Sequence, residues 1–202
     1  MPHRLPPRDT ELVQIVDAAL AETTRRSGEW LVCKLGCTQC CIGVFAINAL
    51  DALRLQHGLS ELDRIDPDRA ERVKRRARAS LDRIQKDFPG DPNTGILEEG
   101  DEAAARFEEF ANDEPCPALD PATGGCDLYA ARPMTCRVFG PPVRSEEGLG
   151  VCELCYHGAS DDDIGACEMT TADAEQLEAK LVAELERDGH KGRTVVAFAL
   201  AR

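Results

Sequence analysis

Ten cysteines are the residues of this 202-residue sequence whose type and spacing indicate chemistry. That number is far above ordinary usage in a chain of this length, so it needs a chemical explanation. Thiolates bind zinc and iron–sulfur clusters, and clustered cysteines in a reducing compartment therefore predict metal ligands. A disulfide scaffold is the alternative for an exported protein. The adjacent pair Cys40-Cys41 argues against it, because neighbouring cysteines bridge only with strain.

The first cluster of cysteines reads Cys33-x3-Cys37-x2-Cys40-Cys41. Short loops with two or three intervening residues turn successive sulfurs toward a common point, as in ferredoxin-type loops. Gly36 and Gly43 suit such a loop, since it tends to need positive φ and close approach of backbone N–H groups to sulfur. The pattern indicates metal binding and does not distinguish zinc from iron.

The other cysteines are spread over about fifty residues, as Cys116, Cys126, Cys136, Cys152, Cys155 and Cys167. The first three lie ten residues apart, so that only tertiary folding could bring them to one centre. Cys152-x2-Cys155 has the spacing of half a metal site, and no βαβ pattern flanks it to suggest a thioredoxin-type redox motif. Cys167 suits a ligand and a small buried apolar residue equally. All ten cysteines are predicted candidate metal ligands. Either two centres share eight of them, or one centre takes four or five and the rest pack or serve transiently.

Two arginines flank the thiols of the middle group. Arg132 and Arg137 are predicted to bind the metal cofactor indirectly, by donating hydrogen bonds to thiolates and offsetting their charge. The alternative is that they form ion pairs with the acidic surface nearby. The sequence contains no phosphate-binding loop, dinucleotide fingerprint or zinc-protease motif, and it identifies no catalytic residue.

The charge of the chain is strongly acidic, with 37 Asp and Glu against 24 Lys and Arg and a formal net charge of −13. Such a body repels phosphate backbones and anionic lipid, which argues against nucleic acid or a membrane as the main partner. The N-terminus has no apolar signal region, and no apolar run is long enough to span a bilayer. We therefore expect a cytoplasmic protein whose partner is a metal ion or cluster.

The apolar periodicity predicts helices on either side of an irregular middle. The predicted helices cover residues 10–26, 49–57, 66–87, 98–109 and 171–188. Asn48 is the expected N-cap of the second helix, and Gly58 is its expected end. Pro, Gly, Cys and Asp dominate residues 115–167, where no apolar periodicity lasts long enough for a regular element.

The fold class that follows is mainly α, with helices packed around an irregular, cysteine-rich metal-binding centre and little or no sheet. At most a small strand pair is expected, near Phe45–Ile47 or Val195–Phe198, and residues 194–201 suit either a short helix or an edge strand. We expect a single domain over residues 1–202. Residues 30–170 would form the metal-binding region, and the helices at 10–26 and 171–188 would flank it.

The helix predicted at 66–87 carries eight basic side chains. Its favoured interpretation is a solvated basic face, with Val73, Ala77, Leu81 and Ile84 turned inward. The alternative is a surface for an acidic partner or RNA.

The cysteine strings also resemble a known family. The first cluster, then Cys116-Pro117, then Gly125-Cys126-x2-Tyr129-x2-Arg132-Pro133-x2-Cys136-Arg137, is similar to the bacterial cysteine-cluster (CxxCxxCC) zinc- or iron-chelating domains. The resemblance covers roughly residues 30–170, and the first spacing here has three intervening residues where the family name has two. It implies metal binding through these cysteines, as an iron–sulfur cluster or zinc, and most members have no assigned reaction.

Three functions remain to be compared. The first is a metal-binding protein that holds an iron–sulfur cluster, of the 4Fe–4S type, or zinc. The second is an iron–sulfur oxidoreductase or metal-dependent modifying enzyme with an open coordination site. The third is a radical S-adenosylmethionine enzyme, whose cysteine spacing matches, but the chain lacks the expected alternation of strands and helices. We favour the first, and within it the cluster, because scattered cysteines suit a polynuclear centre.

Overall fold

The structure is a computed structural model that describes residues 4–145 and 148–201, and it is mainly α-helical, as the sequence predicts. The helices are α1 Asp9–Ser27, α2 Ala49–Ile65, α3 Pro67–Ile84, α4 Asp101–Glu108, α5 Met134–Val138, α6 Asp161–Ala166, α7 Ala172–Arg187 and α8 Val196–Ala201. The strands are β1 Ala46–Ile47, β2 Gly90–Asp91, β3 Ile96–Leu97, β4 Leu119–Asp120, β5 Gly125–Cys126, β6 Val143–Ser145, β7 Gly148–Gly150 and β8 Thr194–Val195. They form antiparallel pairs only, β1–β8, β2–β3, β4–β5 and β6–β7, within the described residues.

The chain divides into two compact units. Among the described residues, the first unit comprises 4–5, 36–133 and 184–201, and the second comprises 6–35, 134–145 and 148–183. The single domain predicted over residues 1–202 extends past the described residues at both ends, and it stays a prediction.

Helix α2 begins where the sequence predicts and ends later. The side chain of Asn48 accepts the backbone N–H of Asp51 at 2.9 Å, which caps the helix. The predicted end at Gly58 is wrong, because the helix continues to Ile65. A Cβ at position 58 would collide with the side chain of Ala131, so the glycine permits close packing instead of ending the helix.

Helix α3 supplies the core of the first unit. Asp66 caps it by accepting the N–H of Arg69 at 3.0 Å, and Pro67 occupies its first turn. Val73 and Ala77 are fully buried, which confirms the predicted inward face. The α-helix ends at Ile84, and a single 3₁₀ turn continues it to residue 87. Residues of α2 and α8 complete this cluster, among them Leu55, Leu59, Val196 and Leu200.

The end of the chain adopts both of the conformations that the sequence left open. Strand β8 pairs with β1, so that Ala46 faces Val195 and Ile47 faces Thr194. Helix α8 follows immediately, and its residues from Val196 to Leu200 are buried. The two predicted strand segments therefore form one small sheet with each other.

The second unit contains α1, which packs against the short helix α5. Leu12 and Val16 provide its buried face. The guanidinium of Arg26, in the last turn of α1, donates to the carbonyls of Ala166 and Glu168 at 2.8 Å each. These bonds attach the end of α1 to the last residue of α6 and to the segment that follows it.

The segment between residues 115 and 167 has only short elements in its described part, in agreement with its lack of apolar periodicity. Its helices, α5 and α6, have five and six residues. No helix within 4–145 and 148–201 combines the length and the apolar character that crossing a membrane requires.

Candidate metal-binding site

The ten cysteines all lie in described residues and fall equally into the two units, with no disulfide bond. The first unit contains Cys37, Cys40, Cys41, Cys116 and Cys126, and the second contains Cys33, Cys136, Cys152, Cys155 and Cys167. The grouping thus differs from the order in the sequence. Cys33 is in the second unit although its neighbours in the first motif are in the first unit.

In the first unit, the Cys40-Cys41 pair is attached by its backbone to Cys116. A 3₁₀ turn over Gln39–Cys41 places the pair, and the N–H of Cys41 donates to the carbonyl of Thr38 at 2.8 Å. The carbonyl of Cys41 accepts the N–H of Cys116 at 2.8 Å, and the next residues outward, 42 and 115, form an antiparallel bridge. Two distant segments of the chain are therefore joined at their cysteines.

A hairpin then returns Cys126 to the neighbourhood of Cys116. Strands β4 and β5 pair Leu119 with Cys126, and the carbonyl of Cys116 accepts the N–H of Leu119 at 2.9 Å. The carboxylate of Asp120 closes the turn by accepting the N–H of Ala122 at 3.1 Å and the hydroxyl of Thr123 at 2.9 Å. The two cysteines are ten residues apart in the sequence, and the hairpin brings them near each other in space.

The tip of this hairpin touches the first cysteine loop at two glycines. Gly124 has a φ of +68°, and a Cβ there would lie 2.9 Å from the Cα of Gly36. Gly36 has a φ of +91° and Gly43 a φ of +92°, as expected for the predicted loop. The close approach of the two backbones holds the loop that carries Cys37 and Cys40 over the hairpin.

Basic residues of α3 anchor the same hairpin. The buried carboxylate of Asp127 accepts hydrogen bonds from Arg69 and Arg76, and Arg76 also donates to the carbonyl of Pro117 at 2.8 Å. Arg83 holds Glu114 through two bonds of 2.9 and 2.6 Å. Arginines on the basic face of α3 therefore bind the segment that carries the cysteines. The interpretation of this face as solvated did not include these contacts.

Four thiols of the first unit influence one another, and we call Cys40, Cys41, Cys116 and Cys126 the first thiol group. A hydrogen bond from Cys41 lowers the pKa of Cys40 to about 6. The same bond, burial, and the negative charges of Cys116 and Cys126 raise the pKa of Cys41. Burial raises the pKa of Cys116 to about 12 and also raises that of Cys126. Four thiolates so placed repel one another, and a bound cation would remove that repulsion.

Three buried thiols in the second unit form another cluster, and we call Cys152, Cys155 and Cys167 the second thiol group. They pack with Tyr156 and with apolar side chains, among them Leu31, Val151 and Ile164. The N–H of Cys155 donates to the carbonyl of Cys152 at 2.9 Å, which makes a tight turn. Cys167 follows α6 directly, and its N–H donates to the carbonyl of Ile164 at 3.0 Å.

The thiol of Cys33 lies near Gly140, a residue that is bonded to the turn of the second thiol group. A Cβ on Gly140, which has a φ of +118°, would lie 2.8 Å from the Sγ of Cys33. The carbonyl of Gly140 accepts the N–H of Cys152 at 3.4 Å, and the N–H of Tyr156 donates to the carbonyl of Trp30 at 2.9 Å. The segment that carries Cys33 is therefore bonded to the Tyr156 end of the turn, and the thiol of Cys33 lies near Gly140, which is bonded to the Cys152 end.

The two predicted cofactor-binding arginines have different surroundings. Arg132 stacks on the ring of Tyr129 at 3.9 Å, and its positive charge opposes the rise in the pKa of Cys126. Arg137 is 1% exposed and forms an ion pair with Asp17 at 2.7 Å, which is the predicted alternative for this residue. A role of either arginine at a metal centre stays a prediction.

Tyr156 contacts the second thiol group, and the sequence analysis did not identify it. Its hydroxyl shares hydrogen bonds with the hydroxyl of Ser27 and with the thiol of Cys167. Its backbone has a φ of +60°, which is rare for a bulky residue. Its position directly after Cys155 was the available signal, because a buried phenol needs a polar partner.

No three His, Cys, Asp or Glu side chains of the described chain converge tightly enough to hold a single metal ion. Sets of buried thiols are nevertheless the donors that zinc and iron–sulfur clusters take, so the residues fit such a centre in their chemistry.

Comparisons with known proteins give one match. Neither the curated proteins nor the solved structures contain one that matches the chain. A family model, CxxCxxCC, with the description "Putative zinc- or iron-chelating domain", matches residues 32–156. That range is more than half of the chain and includes every cysteine except Cys167. The chain therefore belongs to the CxxCxxCC family of zinc- or iron-chelating domains.

Proposed function

We propose that the chain is an iron–sulfur protein whose first thiol group, Cys40, Cys41, Cys116 and Cys126, holds a cluster of the 4Fe–4S type. The observation that supports this most is the joining of two distant cysteine segments, by the hydrogen bond between Cys116 and Cys41 and by the β4–β5 hairpin. The hairpin segment carries Cys116 and Cys126, and the bond to Cys41 joins it to the Cys40-Cys41 pair. Four thiolates are what such a cluster requires.

The positions of the cysteines along the chain favour a cluster over a single zinc ion. Structural zinc is typically held by pairs of cysteines that are separated by about two to four residues. The first thiol group contains no such pair, because Cys40 and Cys41 are adjacent and Cys116 and Cys126 are ten residues apart. Scattered cysteines suit a polynuclear cluster better.

Residues around the first thiol group have defined tasks in this proposal. Asp127 and the arginines of α3 hold the hairpin in position, and the guanidinium of Arg132 offsets part of the negative charge near Cys126. Cys37 belongs to the same loop as Cys40 and remains a further candidate ligand. When bound, the cluster would supply electron transfer or structural cross-linking at this place.

Ligation requires that the thiols stay reduced, and this agrees with the cytoplasmic location expected from the sequence. Cysteines persist as thiols in a compartment where glutathione and thioredoxin keep them reduced. The chemical partner in this proposal is therefore iron with sulfide, delivered to reduced protein.

The test is anaerobic purification of the full chain followed by elemental analysis and a visible spectrum. We expect a brown protein with iron and acid-labile sulfide in nearly equal amounts, and loss of both from the first thiol group in Cys116→Ser and Cys126→Ser. Ser60→Ala, an exposed change on α2 in the same unit, is the control and should keep the full content. Colourless protein with stoichiometric zinc would overturn the cluster. Unchanged metal in both cysteine variants would overturn the site.

A further inference from the structure

We propose that the first unit contains a binding groove for a small organic anion with an apolar body. The groove lies between α2, the β2–β3 hairpin and the loop that joins α7 to β8. None of the described residues that line it is a cysteine. The proposal therefore goes beyond the metal centre and does not depend on it.

The groove is large enough for an organic ligand. Its volume is about 1270 Å³. Helix α2 contributes one wall, Thr94 and Ile96 of the hairpin segment contribute a second, and residues 189–192 contribute a third. Ligand pockets usually have volumes of about 300–1,000 Å³, so this groove can accept a molecule of that class with room for water.

The floor of the groove is apolar. Leu53 of α2 and Phe198 of α8 line it and are only 5% and 3% exposed. The two helices are joined there, because the side-chain amide of Gln56 donates to the carbonyl of Ala199 at 3.2 Å. A ligand with an apolar body would remove this floor from water, which favours binding.

The other two walls are also held in place. The buried hydroxyl of Thr194 donates to the carbonyl of Gly95 at 2.6 Å. Gly192 has a φ of +82°, and a Cβ there would lie only 2.6 Å from Cγ2 of Ile96. The loop before β8 and the β2–β3 hairpin are therefore in close contact, and the groove is already formed without a ligand.

The carboxylates that line the groove are already paired with cations. Arg64 forms an ion pair with Glu61, and Lys74 forms one with Asp63 at 2.6 Å. All four side chains line the groove. Because each pair is neutral as a whole, the two carboxylates repel an incoming anion only weakly.

Two further cations give the groove a positive surplus. Arg4 and Lys191 line it, both are exposed, and neither forms an ion pair with another described residue. The lining thus contains four Lys and Arg side chains against two carboxylates, in a chain whose net charge is −13. His57 and His190 also line the groove, and imidazole can donate an N–H to an anion.

This distribution of charge favours a small anion. Guanidinium and ammonium groups bind carboxylate, phosphate or sulfonate heads by charge-assisted hydrogen bonds. A polyanion such as a nucleic acid would also meet the acidic remainder of the chain, which would repel it. A small anion is affected mainly by the local field, because salt screens charges beyond about 8–10 Å.

The experiment is a fluorescence titration of the full chain with anilinonaphthalene sulfonate, whose head is anionic, and with phenylnaphthylamine, its uncharged analogue. Arg4→Gln combined with Lys191→Gln should weaken binding of the sulfonate about five- to tenfold and leave that of the analogue unchanged. Arg75→Gln combined with Lys86→Gln is the matched control. Both of these residues are exposed in the same unit and lie outside the groove, so the net charge changes equally while both affinities should stay the same.

Two other variants establish where the probes bind. Ser60→Trp inserts a large side chain at an exposed position of the lining and should weaken binding of both probes about tenfold. Val32→Glu alters an apolar surface of the second unit, where Val32 is 47% exposed beside Trp30 and Leu154, and it should change neither affinity.

Four outcomes would overturn the proposal. An equal loss of sulfonate binding in the double variant and its control would mean that only net charge matters. An equal loss for the uncharged analogue in the double variant would mean that the two cations do not select an anion. Unchanged binding in Ser60→Trp, or lost binding in Val32→Glu, would place the probes outside the groove.

Discussion

Asp127 follows Cys126 in the sequence and is a buried carboxylate that two arginines of α3 approach. Its side chain is 2% exposed, while those of Arg69 and Arg76 are 41% and 22% exposed. Removal of one member of a buried ion pair leaves the other charge uncompensated, which typically costs about 3–5 kcal/mol. Since both arginines reach water, we expect Asp127→Asn to lower the free energy of unfolding by about 2–3 kcal/mol.

Urea denaturation of the metal-loaded protein measures this change. Asp63→Asn is the control, because its ion pair with Lys74 is largely exposed and should contribute at most about 1 kcal/mol. We also expect Asp127→Asn to release metal faster to a chelator, since the hairpin that carries Cys126 loses its attachment. Equal stability of the two variants would contradict the anchoring role of Asp127.

The role of a single residue could be predicted from the sequence when it depends on near neighbours in the chain. It could not be predicted when it depends on contacts with distant segments. Asn48 caps α2 by binding a backbone N–H three residues away, so the sequence was sufficient to identify it. Tyr156 and Cys33 acquire their neighbours from segments more than a hundred residues away in the chain. No short pattern contains that information.

Among the elements, α2 shows how a distant contact reverses a local rule. Glycine is a frequent helix end, yet Gly58 lies inside α2 against Ala131. An alanine within a helix is normally about 0.5–1 kcal/mol more stable than a glycine. At position 58 the added methyl would meet the methyl of Ala131, and overpacking typically costs about 1–3 kcal/mol. We therefore expect Gly58→Ala to destabilise the protein despite the better helix propensity.

Thermal and urea unfolding measure the effect of Gly58→Ala, and two variants serve as controls. Gly165 lies in α6 with no atom within 4 Å of a Cβ built on it, so Gly165→Ala should be neutral or stabilising. Combining Gly58→Ala with Ala131→Gly removes the collision and should recover most of the lost stability. A Gly58→Ala protein as stable as the wild type would show that the 3₁₀ turn Tyr129–Ala131 can move away at no cost in stability.

The hairpin of β4 and β5 is the element that the sequence indicated least. Cys116, Cys126 and Cys136 recur every ten residues, a spacing too wide for one local loop. In the structure, the chain between Cys116 and Cys126 forms a hairpin, and Cys136 belongs to the second unit. Turn residues such as Asp120 and Gly124 were visible, but which cysteines the turn would bring together depended on tertiary pairing.

For the whole molecule, the helical core and the cysteine segments depend on different forces. The core of the first unit consists of apolar residues that are almost fully buried, such as Leu55, Val73 and Leu200. Hydrophobic burial holds such a cluster without metal. Residues 115–127 and 152–167 consist of turns and short elements around the thiol groups. Metal coordination adds free energy to the folded state only where its ligands are, so removal of metal should affect these segments first.

We expect that stripping the reduced protein with a chelator preserves most of its far-ultraviolet helical signal. Amide hydrogen exchange should accelerate in residues 115–127 and 152–167 by about tenfold or more, and it should change little in α2, α3 and α8. Return of iron and sulfide, or of zinc, should restore the protection, which distinguishes loss of metal from damage by the chelator. Uniform acceleration would mean that metal supports the helical core as well. Unchanged exchange in both segments would mean that packing alone orders them, which would remove the physical basis for a metal centre in this chain.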